Sequence, residues 1–479
     1  MAHAATVQEN STRTVFVTAG IALLLLATAA TALHVVRGPS YALALTGGLV
    51  FLVWGAWKPW LLPAGYLAFM ILSSNQSDQE YYPVFYHIMT FLPAFTAMVI
   101  LHFADRTVNP NTIDHSPPRP DFLGKLVLLF LAWCTFTYLR GLAIGNPLNF
   151  MMWEISYISM FFAYFFWRGR FRLHGNMINW NWLLLALGIG TAFETASLIM
   201  IHYTDVISLV LNRILNRQPQ ITMLTVPLAM TFFLTRKTTW TRTLGGALVL
   251  ITMIHVFLSQ QRSLWLAAVV IAFVYFTLYV FRKGFTLRTL TLWLMLILLI
   301  GALFAGLLFG AAYVLNADLS VLLTRWEDVQ SLTDDSFLIR VWDFRNAVEE
   351  VGGQGWLGLG GGQLNNWVHT MKYFYYFDFS YGMAYYKGGW PMVILMVAVY
   401  AGVLIQGFRL YIKAKDRLVQ LLGITYTSTI AGVMFVGMFN TGMLYFRFIF
   451  IWMLIAASAT VLLEKMQDEE DRQLEVASE

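Results

Sequence analysis

The chain has 479 residues, of which 58% are hydrophobic and only 12% charged, about half the charged share of an ordinary soluble domain. So little polar surface excludes a soluble globule, and the apolar runs recur at about 17 to 25 residues, the length of a bilayer-crossing helix. The net charge of +5 is gathered in short loops, a pattern that reports membrane orientation and not nucleic-acid binding.

In chain order, the first apolar run follows the polar segment MAHAATVQENSTRT and carries no small-residue cleavage site, so it is expected to remain as a first helix. Candidate spans fall at 15–36, 41–57, 59–74, 84–104, 122–140, 147–167, 182–202, 220–235, 243–259, 264–281, 289–315, 388–411, 418–438 and 444–463. Only Lys58-Pro59 separates the second from the third, and either could belong to one bent hairpin. The fold class is thus an all-α polytopic integral membrane protein of about 12–14 transmembrane helices, with one large outward loop near 316–387. The single cysteine, Cys134, lies in an apolar run without a partner, which excludes an intrachain disulfide and a multi-cysteine metal site. No fixed-period repeat or inverted duplication is visible, which weighs against the usual secondary-transporter architecture.

Basic clusters at Arg168/Arg170/Arg172, Arg236/Lys237/Arg242, Arg282/Lys283/Arg288 and Arg409/Lys413/Lys415/Arg417 test these spans. All four fall on one side of the membrane, which the positive-inside rule makes cytoplasmic. Both termini are then cytoplasmic and the 316–387 loop faces outward. The chain divides into N-terminal helices (1–315), the outward loop (316–387), C-terminal helices (388–463) and an acidic, solvated, partly disordered tail (464–479).

Within the loop, Asp335 or Ser336 can cap a helix beginning near Phe337, and Gly352-Gly353 can stop it. Phe337, Val341, Phe344, Val348 and Val351 form an apolar stripe, with Arg340 and Asp343 on the polar side. Such an amphipathic helix would lie near the membrane surface and roof a cavity between helices. The glycine run GQGWLGLGGGQ lacks the strand and Lys-Ser/Thr of a phosphate loop, so it reads as a flexible connector that lets backbone approach a ligand. Of the aromatics between Trp367 and Trp390, most suit the membrane interface, and a minority could stack on sugar rings.

Six arginines, Arg213, Arg217, Arg262, Arg325, Arg340 and Arg345, stand on the outward side against the orientation rule. A planar guanidinium binds phosphate bidentately and stays charged, so a pyrophosphate would need two or three of them. Arg345 has Glu349 four residues on, and Arg325 has Glu327 and Asp328 nearby, so for these two local pairing is the preferred reading. Arg262, in SQQRSLW between two apolar runs, has no carboxylate close by and is a functional candidate. Arg340 is balanced between Asp343 and a ligand. His369, the single histidine of the loop, can serve as a general base near neutral pH. Glu154 and Glu194 lie in apolar runs, either on an ion path or as partners of an arginine such as Arg140. No His/Cys/Asp cluster has metal-ligand spacing, so neither metal nor cofactor is implied.

Together these elements resemble the O-antigen ligase and polymerase family, bacterial membrane glycosyltransferases of C-type fold. The resemblance rests on Arg262-Ser263 at a helix end, Arg340 followed by Trp342 and Gly358-Leu359-Gly360, then His369, then Gly388-Gly389. Thr370 stands where Asn or Ser is expected, the stretch from His369 to Gly388 is long, and Lys387 replaces a frequent acidic residue. The resemblance implies metal-independent transfer of a glycan from a polyprenyl-diphosphate-linked oligosaccharide to an acceptor hydroxyl, at the periplasmic face of the bacterial inner membrane. Arg262, Arg340 and Arg217 would hold the donor diphosphate, and His369 would be the catalytic base. Membrane lipid, a flippase and a chain-length co-polymerase would be its partners.

Polymerisation of exopolysaccharide or O-antigen repeats is the first expectation, with ligation to lipid A core as the alternative. From other classes, a transporter would use Glu154 and Glu194 as coupling sites, and a non-catalytic assembly subunit would need neither Arg262 nor His369.

Overall fold

The computed structural model describes residues 121–173, 180–203, 221–235, 239–258, 262–282, 286–295, 335–363, 380–439 and 446–478, with a few isolated positions between them. The four spans expected between 15 and 104, and most of 289–315, lie outside the described residues. Among the described residues 90% are helical and none is in a strand. Five helices are long and apolar enough to cross a membrane.

The helices are α1 (Phe122–Ala143), α2 (Leu148–Ser159), α3 (Ala163–Leu173), α4 (Trp180–Tyr203), α5 (Ile221–Thr235), α6 (Thr239–Leu258), α7 (Arg262–Phe281), α8 (Asp335–Val351), α9 (Ser380–Lys413), α10 (Arg417–Val436) and α11 (Phe446–Ser478). A 3-10 turn, Met160–Phe162, joins α2 to α3, so the run expected at 147–167 continues to Leu173. Arg168, Arg170 and Arg172 therefore ride on a helix end and not in a loop. The expected tail is also helical: α11 runs unbroken from the core into its exposed acidic end.

Helices α9, α10 and α11 with α1 and α7 build the centre. Apolar matching alone gives little association between helices in lipid, where small residues and hydroxyls set the contacts. Both devices are present. A Cβ on Gly423 of α10 would stand 2.8 Å from the carbonyl oxygen of Gly407 on α9, so only glycine permits this crossing. The Thr231 hydroxyl of α5 meets Thr425 of α10 at 2.8 Å and Tyr275 of α7 at 2.9 Å, a buried polar seam among three helices.

One end of the bundle is tied by charge. Asp121 caps α1 by accepting the Leu123 N–H at 3.1 Å, accepts the Tyr164 hydroxyl, and pairs with Arg168 at 3.1 Å. Arg168 also pairs with Glu464 of α11, which Arg172 approaches at 3.4 Å. Arg168 thus neutralises two nearly enclosed carboxylates, whereas Arg172 is the more exposed and holds the longer contact. Breaking one partner out of a buried pair costs about 3–5 kcal/mol. Arg168→Met is expected to lower the apparent melting temperature in detergent at least twice as far as Arg172→Met. Equal shifts would contradict this assignment.

Candidate functional site

At the opposite end of α1 from Asp121, the glycine run meets a broken helix. Within α9, Gly389 adopts φ 67°, ψ −168°, a left-handed backbone that side-chain-bearing residues rarely take. Two residues on, Pro391 has no N–H to donate. Helical pairing therefore fails around the break, and the exposed groups take partners elsewhere. Leu359 N–H donates to the Tyr386 carbonyl at 2.8 Å and Gly360 N–H to the Lys387 carbonyl at 2.9 Å. Trp390 N–H donates to the Gly355 carbonyl at 3.0 Å, and the Trp133 indole N–H to the Gly388 carbonyl at 2.8 Å. The run, with Gly358, Gly360 and Gly362 at positive φ, docks as irregular backbone against the gap in α9.

Its other side lies on α1 and α2. Gly361 N–H donates to the Thr137 carbonyl at 3.1 Å, and the Asn146 amide donates to the Leu359 and Gly361 carbonyls at 3.2 and 2.9 Å. A Cβ on Gly361 would overlap the Tyr138 ring, and one on Gly141 would overlap the Gly361 backbone. The glycines do allow close backbone approach, but to the protein's own helices, which corrects the expectation of a flexible connector around a ligand. Arg140 clasps the start of the run, donating to the Leu357 carbonyl at 3.0 Å, to the Gly358 carbonyl, and to Gln354 Oε1 at 2.6 Å.

Below the run sits a buried ion pair. Lys387 Nζ stands 2.8 Å from Glu154 Oε1, with side-chain exposures of 3% and 1%. Each partner also holds the run: Glu154 Oε2 accepts the Gly362 N–H at 2.8 Å, and Lys387 donates to the Gln363 carbonyl. The partner of Glu154 is thus Lys387 and not Arg140. Arg140 instead binds carbonyls, which a cation can do without a carboxylate.

Helix α8 leads into this unit and stops at Gly352, as its sequence suggests, but its packed face differs from the expected stripe. Asp343, Ala347 and Val351 are buried, while Val341 and Val348 are exposed. Ala347 and Val351 pack with Tyr385 and Tyr386 of α9, and Phe344 joins them. Asp343 is therefore on the inner face, not on a solvated polar side. Arg340 is half-buried and donates its Nε–H to the Phe439 carbonyl at 3.1 Å, a polar contact that holds the helix against its apolar pattern. Arg345 and Glu349 pair in the open at 2.9 Å, the local pairing expected of them.

Helix α9 begins at Ser380, eight residues before the expected span, so the 316–387 boundary cuts through a helix. Tyr385 and Tyr386 are core residues there, and the Tyr381 hydroxyl donates to the Met434 carbonyl at 2.8 Å. These three are not free for the interfacial or sugar-stacking roles considered for this stretch.

Of the expected site residues, only Arg340 has a described side chain. His369, Arg217, Arg213 and Arg325 lie outside the described residues, as do the side chains of Glu194 and of Arg262, whose backbone opens α7. Among the described residues, no group of three or more His, Cys, Asp or Glu could hold a metal ion. The sequence does not single out Asn146 or Gln354, and it marks Lys387 only as replacing a frequent acidic residue. A signal existed for Lys387: it and Glu154 are opposite lone charges in apolar surroundings.

The ion pair has a fixed polarity, because the Gly362 N–H requires an acceptor and the Gln363 carbonyl a donor. Lys387→Met or Glu154→Leu is expected to cost about 3–5 kcal/mol by stranding its partner. The charge swap E154K/K387E should be no more stable than the worse single variant, since both backbone groups then face the wrong charge. Recovery of the wild-type melting temperature by the swap would show that only the pairing matters.

No family model matches the chain, and no curated protein matches it.

Proposed function

We propose that the protein is a membrane glycosyltransferase that polymerises polysaccharide repeat units carried on a polyprenyl diphosphate. One observation carries this reading. Helix α8, with Arg340 and Trp342, runs directly into the Gly358-Leu359-Gly360 segment, and that segment is fastened to α1, α2 and α9 at one end of the apolar helices. Two of the motif segments that resemble the O-antigen ligase and polymerase family thus belong to one rigidly tied unit.

In the proposed reaction, the acceptor hydroxyl attacks the anomeric carbon of the donor sugar. His369 takes the hydroxyl proton as the new C–O bond forms. The bond to the diphosphate breaks, and its electron pair leaves with the diphosphate. Arg262, Arg340 and Arg217 would stabilise the developing charge electrostatically. Ligation to lipid A core would use the same chemistry and differ in its acceptor. The periplasmic face of a bacterial inner membrane suits this reaction, because the donor linkage already stores the energy and no nucleotide is required.

The transporter reading loses support at Glu154. A coupling carboxylate must exchange protons or ions, whereas Glu154 is enclosed and committed to Lys387 and the Gly362 N–H. For the same reason Glu154→Gln does not separate enzyme from transporter, since it would disturb the loop under either reading.

The test is chain-length analysis of polysaccharide from a deletion strain complemented with variants that still reach the membrane. Removing a general base lowers rates by about 10²–10⁴-fold, so His369→Ala should leave single repeats in place of polymer, and Arg262→Ala should sharply reduce polymer. Normal polymer with both variants would overturn the assignment.

A further inference from the structure

We infer that Arg140 and the face of α1 beneath it form a binding site for the phosphate of an anionic membrane phospholipid, a role independent of the proposed reaction. A guanidinium has five N–H donors in a rigid fork. Three are used here: both on Nη1, by the Leu357 and Gly358 carbonyls, and one on Nη2, by Gln354 Oε1. The Nε–H and the second Nη2–H have no partner among the described residues. These two neighbouring donors make the edge that grips one phosphate bidentately. The carbonyls holding the other edge fix the plane of the fork, and the group is only half-buried.

The surroundings select a lipid over a soluble anion. Leu129, Trp133, Phe136 and Arg140 recur at helical spacing along one face of α1, and Leu129 and Phe136 are exposed. The rings of Trp133 and Phe136 lie 5.2 Å apart. From the docked run, Trp356 and Leu357 add exposed apolar surface beside the Arg140 contact. An arginine among aromatics at the end of a membrane helix matches the headgroup level of a bilayer. The strip below it offers an acyl chain a path into the hydrocarbon. One free fork suits one phosphodiester, whereas a carrier diphosphate would leave its second phosphate without a partner among the described residues.

The purified full chain in detergent, titrated with dioleoyl phosphatidylglycerol and followed by native mass spectrometry, tests the site. Arg140→Lys keeps the charge but loses the fork, and should weaken binding of the tightest lipid about tenfold. Phe136→Ala leaves every Arg140 bond to the run in place, and should weaken it about threefold. It therefore decides the matter if the lysine variant misfolds. Unchanged lipid affinity in Phe136→Ala and in any folded Arg140→Lys would overturn the site. Displacement of phosphatidylglycerol by an equimolar polyprenyl diphosphate would overturn the assignment to phospholipid and give the site to the carrier.

Discussion

The described structure depends on a break in a helix where a break is expensive. A buried backbone N–H or carbonyl without a partner costs about 1–3 kcal/mol. Gly389 and Pro391 impose such a break in α9. The groups it exposes select what must lie against them: a segment with free N–H and carbonyl groups and no side chains in the way. The glycine run meets this requirement on its α9 side with backbone and on its α1 side with Gly141, Thr137 and Asn146.

The ion pair then fixes register. Taking a carboxylate and an ammonium out of water costs several kcal/mol for each ion, so their attraction alone is a poor source of stability. What offsets the cost here is that each charge also binds a backbone group, Gly362 N–H for Glu154 and the Gln363 carbonyl for Lys387. Sliding the run by one residue would part both charges from the backbone groups they hold. The pair thus rejects wrong registers more than it adds stability. It also ties α2 and α9 to the residue that begins the stretch bearing His369.

Much of the helical framework could be read from the sequence, because hydropathy follows directly from the demand that backbone be satisfied in lipid. The spans beginning near 122, 182, 220, 264 and 418 match helices to within a few residues. The candidate site was less legible. Glu154 and Lys387 are 233 positions apart, and only the tertiary packing of α2 and α9 about the glycine run joins them. The glycine run was misread because local sequence shows conformational freedom but not the surface that will remove it. The stop of α8 at Gly352 is legible, yet its facing is set by the Arg340 contact with the Phe439 carbonyl and by the burial of Asp343. Periodicity counts apolar residues and does not see such partners.

Residues 359–362 are part of the helix bundle and not a loop above it. Hydrogen exchange of their amides, measured in nanodiscs, tests it most directly. Leu359, Gly360, Gly361 and Gly362 should exchange as slowly as the middle of α1, because each N–H is bonded to a helix group. Exchange at the rate of a solvated loop would contradict it.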